Sequence, residues 1–335
     1  MGKILVTGAA GQIGSELVPA LRKKYGYENV IAAGSGRTPL ARDIAEAGPV
    51  ISLDITDYSR LQEALAEHGI DTIYHMSGLL SKSAEDNRRL GFNVNYLGLF
   101  NVLEASIANN VGKVIVPSSI AALGPFGMET PRQNTPNDTR QRPRTMYGMA
   151  KVNGELWADY YSEHEDQEVN LDVRGVRFPG LLTWKTDPNP AGTTDYANYM
   201  IFDAVRKGRY LECPLGADTR LPMMYMPDAI KALINLAEAD RKRLEHHGDY
   251  NVAAYSFTPD ELAGVVRKVG SQFGISDFQM EFKLDPVRQR IADSWADSMD
   301  DSAARSEWGW KPDWSLERTV YDMMDNLVKK QEHKI

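Results

Sequence analysis

Short apolar runs closed by Gly, Ser, Pro or Asp alternate along the first half of the chain with longer stretches whose apolar positions recur at helical spacing. The runs Ile4–Val6, Asn29–Ala33, Val50–Leu53, Asp71–Met76, Val111–Pro117 and Leu171–Phe178 read as six strands. Their near-continuous hydrophobicity is that of a parallel sheet covered on both faces. Between them, Ser15–Leu21, Tyr58–His68, Arg88–Asn109 and Thr145–Tyr161 (TMYGMAKVNGELWADYY) read as helices, with Asp57 and Thr145 as caps. Asn95 and Asn101 interrupt the apolar side of the third helix; Asn95 either ties it to a neighbouring strand or simply packs. Gly124–Arg144, rich in Pro, Thr, Asn and Arg, has no periodicity and reads as a loop laid over a site. After Pro179-Gly180 the composition shifts. The threonine-rich loop Thr183–Ala197 leads into short alternating elements at Tyr199–Lys207, Leu221–Met226, Pro227–Ala239, Asp249–Val252, Pro259–Lys268 and Leu316–Lys330. The pattern predicts an α/β chain: a doubly wound parallel sheet over residues 1–178, then a smaller C-terminal α/β substrate domain over 179–335 with some chain crossing back to the sheet. Trp308, Trp310 and Trp314 are expected in the core of that smaller unit.

The first strand-to-helix turn changes this from a fold class to a binding class. In KILVTGAAGQIGSEL, Gly8 turns out of the strand, Gly11 leaves room for a pyrophosphate, and Gly14 lets the helix pack closely on the strand. The first-turn amides would point at the phosphates, which makes the sheet a Rossmann-type dinucleotide fold. The end of the second strand carries Gly34, Ser35, Gly36 and Arg37 where an acid commonly holds the ribose, so chemistry leaves NAD and NADP both open. Asp54, closing the third strand, is expected to meet the adenine. Ser77 and Gly78 line the end of the fourth strand, with Leu80-Ser81 near the nicotinamide.

Charge and cysteine content narrow the partners. The net charge is −8, which argues against nucleic acid or an anionic membrane. One cysteine, Cys213, excludes an internal disulfide framework, argues against a thiolate zinc site, and fits a reducing, cytoplasmic setting. A strand starting at Lys3 leaves no room for a signal peptide, and no run is long enough to span a membrane. His68, His75, His164, His246, His247 and His333 form no metal-spaced pair, and the acidic stretch Asp293–Asp301 lacks calcium-loop spacing, so it reads as exposed helix turns. No metal is expected.

Tyr147 and Lys151 stand four residues apart, on one face of their helix. A phenol is a poor base near neutrality, and an ammonium beside it favours the phenolate. Ser119, at the end of the fifth strand, can hold a substrate oxygen beside Tyr147. Together they suit proton removal from an alcohol whose hydride passes to a nicotinamide.

In order, TGAAGQIG at Thr7, DITD at Asp54, VPSSIAALG at Val116 and YGMAK at Tyr147 resemble the extended short-chain dehydrogenase/reductases, which include the UDP-sugar epimerases. HMSGLLS at His75, QRPRTMYGMAKVNGE at Gln141, RFPGLLTWKTDPNPAGTTDYA at Arg177, DTRLPMMYMPDAI at Asp218, YNVAAYSFTPDELA at Tyr250 and the stretch from Asp285 to Trp314 resemble, more narrowly, the short-chain L-threonine 3-dehydrogenases. The resemblance implies NAD-dependent oxidation of the L-threonine hydroxyl to 2-amino-3-ketobutyrate, with Tyr147 as base, Lys151 as its modulator and Ser119 as hydroxyl donor. It implies cofactor contacts from Gly8, Gly11, Gln12, Ile13, Gly14, Ser35, Arg37, Asp54, Ile55, Met76, Ser77, Gly78, Asn95, Tyr147, Lys151 and Pro179. Substrate contacts would come from Ser81, Ser119, Tyr147, Gly180, Gly192, Thr193 and Thr194. It also implies a homodimer formed by helices Arg88–Asn109 and Tyr147–His164, with Leu97, Phe100, Leu156 and Tyr160 as candidate contacts. Two rival readings are a nucleotide-sugar epimerase or dehydratase, using Arg174, Arg177, Arg206 and Arg220 for a diphosphate, and a dinucleotide-sensing protein without chemistry.

Overall fold

The computed structural model describes residues 2–126, 130–163, 171–275 and 277–332. His164 and His333 lie outside them. The first half forms strands β1 (Lys3–Thr7), β2 (Val30–Gly34), β3 (Val50–Ser52), β4 (Ile70–His75), β5 (Lys113–Ser119) and β6 (Asp172–Phe178). A further strand, Tyr250–Asn251, adds to β6 and completes a seven-stranded sheet in the order Tyr250–Asn251, β6, β5, β4, β1, β2, β3. Every pairing in it is parallel. The sheet is a Rossmann-type α/β fold with helices on both faces.

Strand alternation sorts the two cores. Ile4 and Val6 face one layer with Leu17, Val18 and the helix Met226–Glu238, while Leu5 faces the other with Leu61, Leu65, Val102 and Leu103. Local chemistry sets the helix ends. Asp57 accepts from the Arg60 amide at 3.1 Å, and Thr145 from the Gly148 amide at 3.0 Å, as their positions predict. The first helix runs further than its apolar pattern, over Gly14–Tyr25. Its last turn buries the Arg22 guanidinium, which donates to the Val30, Ile44 and Pro49 carbonyls at 3.3, 2.6 and 2.8 Å. One charge thereby satisfies three chain segments at the amino end of the sheet.

The stretch Arg88–Ala108 is helical, with a π-type turn over Asn93–Leu97. Asn95 sits in that turn and Asn101 donates to the Ile55 carbonyl at 3.0 Å. β5 ends two residues later than its apolar run, which carries Ser118 and Ser119 onto the sheet edge. Past Pro179, Gly180–Leu182, Leu221–Tyr225 and Tyr255–Phe257 make a three-stranded sheet, and Arg209–Cys213 pairs with Gln279–Phe282. Their core packs on helices Tyr196–Lys207, Pro259–Gly270 and Leu316–Glu332.

Three expectations need correction. Trp308 and Trp310 do not sit in the smaller unit; they pack in the cluster that holds Ile4, Val6 and the helix Met226–Glu238, because the chain returns to that face of the large sheet. Of Trp308, Trp310 and Trp314, the last alone packs against the other core. The stretch Asp293–Asp301 is not a set of exposed turns: Trp295 and Met299 are buried, and Asp297 takes the Arg132 Nε at 2.8 Å. Arg174, Arg177, Arg206 and Arg220 form no anion pocket. Arg174 is buried against Asp172 at 2.7 Å, Arg177 against Glu155 at 2.8 Å, and Arg206 pairs with Asp187 at 2.7 Å, while Arg220 pairs with Glu261.

Candidate active site

The glycine turn connects β1 to the first helix at the carboxyl edge of the sheet. Gly8 adopts φ +64°, and a Cβ there would meet the Met76 carbonyl carbon at 2.6 Å. At Gly14 a Cβ would meet the Gly8 oxygen at 2.2 Å, so both glycines are demanded by the turn itself. Gly11 differs. A Cβ on it would touch only the Gly8 oxygen, at 3.1 Å, and so would project into the cleft. Among the described residues the amides of Gln12 and Ile13 have no acceptor. Free amides behind an open glycine fit the pyrophosphate of a dinucleotide.

Across the cleft stand Ser119, Tyr147 and Lys151, which line one cavity of about 260 Å³ together with Gly11, Gln12, Ile13, Met76, Ser77 and Gly78. Lys151 Nζ lies 5.3 Å from the Tyr147 ring centroid and donates to the Pro117 carbonyl at 2.5 Å. Burial lowers the lysine to about 8, against the pull of Glu155 one turn on. Burial raises Tyr147 above its ordinary value, partly offset by a hydrogen bond from Ser119. The ammonium lies over the ring, bonded to a backbone oxygen, and the phenol's shift follows its burial. His75 is buried beside this group, its Nδ1 3.0 Å from the Thr7 hydroxyl, and burial with the nearby Lys151 charge drops it to about 3.

Asn95 does tie its helix to the active-site strand: its side chain accepts from the Leu79 amide at 2.7 Å and donates to the Leu79 carbonyl at 3.0 Å. The π-type turn delivers it, and the reward is a fixed path for Ser77–Ser81 along the cavity wall. Ser81 opens a short helix, Ser81–Asp86, and its hydroxyl lies 3.5 Å from the Thr193 hydroxyl. Gly180, Gly192, Thr193, Thr194 and Pro179 line the same cavity. A Cβ on Gly192 would lie 1.8 Å from the Asp195 carboxylate, which would have to shift to admit it.

Other expected residues stand apart from this cavity. Arg37 and Asp54 meet each other at the edge of β2 and β3, 3.3 Å apart and both open to solvent, close to Ser35. Asp54 also accepts from the Thr56 amide and hydroxyl at 3.0 and 2.8 Å, and these bonds, despite some burial, and with Arg37, hold its carboxyl below the ordinary value. Ile55 is buried against Gly98. The cavity also takes Trp295, Asn189 and Asp195, which the sequence reading passed over. Trp295 sits far along the chain in an acidic stretch, and only tertiary packing brings it to the cavity that Tyr147 lines. Among the described residues no group of His, Cys, Asp and Glu is arranged to hold a metal ion, and no helix is long and apolar enough to cross a membrane.

A model of the NAD dependent epimerase/dehydratase family matches residues 4–253. A Staphylococcus aureus protein described as an uncharacterized epimerase/dehydratase is 42% identical over 334 residues, covering 100% of this chain and 99% of its own. The structure of L-threonine dehydrogenase from Clostridium difficile superposes with a TM-score of 0.90 at 43% identity, over 98% of each chain. A monomeric L-threonine 3-dehydrogenase from a metagenome superposes at 0.88 with 40% identity, over 98% of this chain and 99% of its own.

Proposed function

Because the chain belongs to the NAD-dependent epimerase/dehydratase family, we propose that it is an L-threonine 3-dehydrogenase, oxidising the side-chain hydroxyl to the 3-ketone with NAD. The observation that carries this reading is the single cavity into which Tyr147, Lys151 and Ser119 project opposite Gly192, Thr193 and Thr194, beside the open glycine turn. A small zwitterion needs several hydroxyl and amide partners, and Ser81, Thr193 and Thr194 supply hydroxyls at that wall. A cavity of about 260 Å³ suits an amino acid beside a nicotinamide, and Arg174, Arg177, Arg206 and Arg220, the candidates for a sugar diphosphate, are each paired with a carboxylate.

The residues divide the work by chemistry. Ser119 donates to the substrate hydroxyl oxygen and holds it beside Tyr147. Tyr147, as phenolate, takes the hydroxyl proton while the C3 hydrogen leaves as hydride. Lys151 favours the phenolate as the proton is handed on. Ser81, Thr193, Thr194 and the Gly192 backbone orient the amino and carboxylate groups so that C3 faces the nicotinamide. The oxidised nicotinamide, when bound, is the hydride acceptor. The cofactor would be held by Gly8, Gly11, Gln12, Ile13 and Gly14 at the pyrophosphate, Ser35 and Asp54 at the adenosine, and Met76, Ser77, Gly78 and Pro179 toward the nicotinamide. Arg37 already faces Asp54, whose negative charge works against an added 2′-phosphate, and this favours NAD over NADP.

The test is absorbance at the reduced-nicotinamide band with L-threonine and NAD or NADP in parallel. Growth with NAD supports the whole reading, growth with NADP alone reverses the cofactor, and no growth with either sinks the activity.

A further inference from the structure

The loop of the substrate wall and the dinucleotide helix are joined by a run of side-chain and backbone hydrogen bonds, buried from Glu16 to Asp195. Glu16, on the first helix two residues past Gly14, is buried and accepts from the Thr183 hydroxyl at 2.5 Å, with Lys185 Nζ 3.5 Å away. The Thr183 amide donates to Asn198 Oδ1 at 3.0 Å. Asn198 Nδ2 in turn donates to Asp195 Oδ1 at 3.2 Å and to the Leu181 carbonyl at 3.0 Å. The same Asp195 oxygen accepts from the Asn189 amide at 3.2 Å, and the Asn189 carbonyl accepts from the Gly192 amide at 3.1 Å. Thr183, Asn198 and Asp195 are each buried, so water is a poor substitute for the links between Glu16 and Asp195. None of these side chains except Asp195 and Asn189 lines the cavity. The line begins on the helix whose first turn faces the pyrophosphate, and ends at the turn that presents Thr193 and Thr194.

Resting on the reading above, we propose that Glu16 is a positioning residue: it fixes the 183–195 loop to the dinucleotide helix, so that cofactor occupancy orders the threonine-binding wall. A carboxylate is suited to the task, because its charge strengthens the Thr183 bond and draws Lys185, the next charged side chain of the loop, to the same helix. Removing it leaves the Thr183 hydroxyl without its acceptor and frees the loop from the helix, without touching substrate or cofactor.

The experiment compares wild type with Glu16→Gln, Glu16→Ala, Thr183→Val and the Glu16→Ala/Thr183→Val double variant, reading threonine KM, kcat and NADH affinity. Glu16→Ala should raise KM by about tenfold, the loss of one charge-assisted hydrogen bond, with kcat and NADH affinity within about twofold. Glu16→Gln keeps an acceptor and should restore most of the KM. Thr183→Val should match Glu16→Ala, and the double variant should be no worse than either. A merely structural Glu16 would lower the melting temperature and leave KM unchanged, and that result, or additive effects, overturns the proposal. Hydrogen exchange over residues 183–198 with and without NADH is read in parallel and needs no turnover. NADH should slow exchange there in wild type and not in Glu16→Ala, and no difference in wild type overturns the coupling. If exchange behaves as expected while wild type leaves threonine untouched, the coupling stands and the threonine reading alone fails.

Discussion

Tyr147, Lys151 and Ser119 illustrate how little of a residue's chemistry its identity carries. In sequence the pair Tyr147 and Lys151 is a spacing, four residues on one helix. In the folded chain burial raises the phenol and lowers the ammonium, so each is pushed toward its uncharged form. Tyr147→Phe should therefore abolish turnover and leave NADH binding, followed by fluorescence, near that of wild type; retained turnover would remove Tyr147 from the chemistry. His75 makes a second prediction at this scale. Its folded value, about 3, lies below that of an exposed imidazole, so the unfolded chain binds the extra proton and His75 costs stability as pH falls from about 6.5 toward 3. The slope is about 1.4 kcal/mol per pH unit in that window. His75→Gln should flatten the acid limb of a melting-temperature profile between pH 4 and 6.5, whatever its effect at neutral pH. An unchanged limb would count against a neutral, buried His75.

At the scale of elements, the glycine turn and the π-type turn show two kinds of legibility. The spacing of Gly8, Gly11 and Gly14 is a sequence signal, and the structure separates their roles. Gly14→Ala drives a Cβ into the Gly8 oxygen at 2.2 Å and should lower the melting temperature and cofactor affinity together. Gly11→Ala meets only one atom at 3.1 Å, so it should melt near wild type while weakening NADH binding at least about tenfold. Equal losses of stability in the two variants would refute that division. The turn at Asn93–Leu97 left no comparable trace. A helix that widens by one residue keeps its apolar side, so periodicity shows one continuous helix, and which of its two open roles Asn95 takes is decided only when Leu79, past the end of β4, lies alongside. Trp295 was hidden for a related reason, since its acidic neighbours look solvated until Arg132 takes Asp297 and leaves the indole facing the cavity.

For the whole molecule, the outer faces of the two long helices remain. Leu97, Phe100, Leu156 and Tyr160 are 40, 40, 57 and 48% exposed, and with Phe92 they form an apolar surface beside Trp157. We propose that a second copy covers it through a four-helix contact. Light scattering should give twice the chain mass for wild type and the chain mass for Leu156→Asp, with melting little changed at low concentration. A wild type that is monomeric at high concentration refutes the dimer, as the monomeric metagenome enzyme shows is possible on this fold.

The chain by itself determined the parallel sheet, the glycine turn, the helix caps and the Tyr147, Lys151 and Ser119 order, because each rests on local periodicity or on conformations that few residues adopt. Tertiary structure alone decided the fate of the charged and aromatic residues. Arg174 and Arg177 read as candidate ligands and proved to be buried ties, Arg174 to Asp172 within β6 and Arg177 from β6 to Glu155 on the helix Met146–Glu163, and Trp308 and Trp310 joined the core of the large sheet. A polar side chain's role depends on which partner desolvates it, and that partner can lie far along the chain, as Glu16 and Thr183 do at 167 positions.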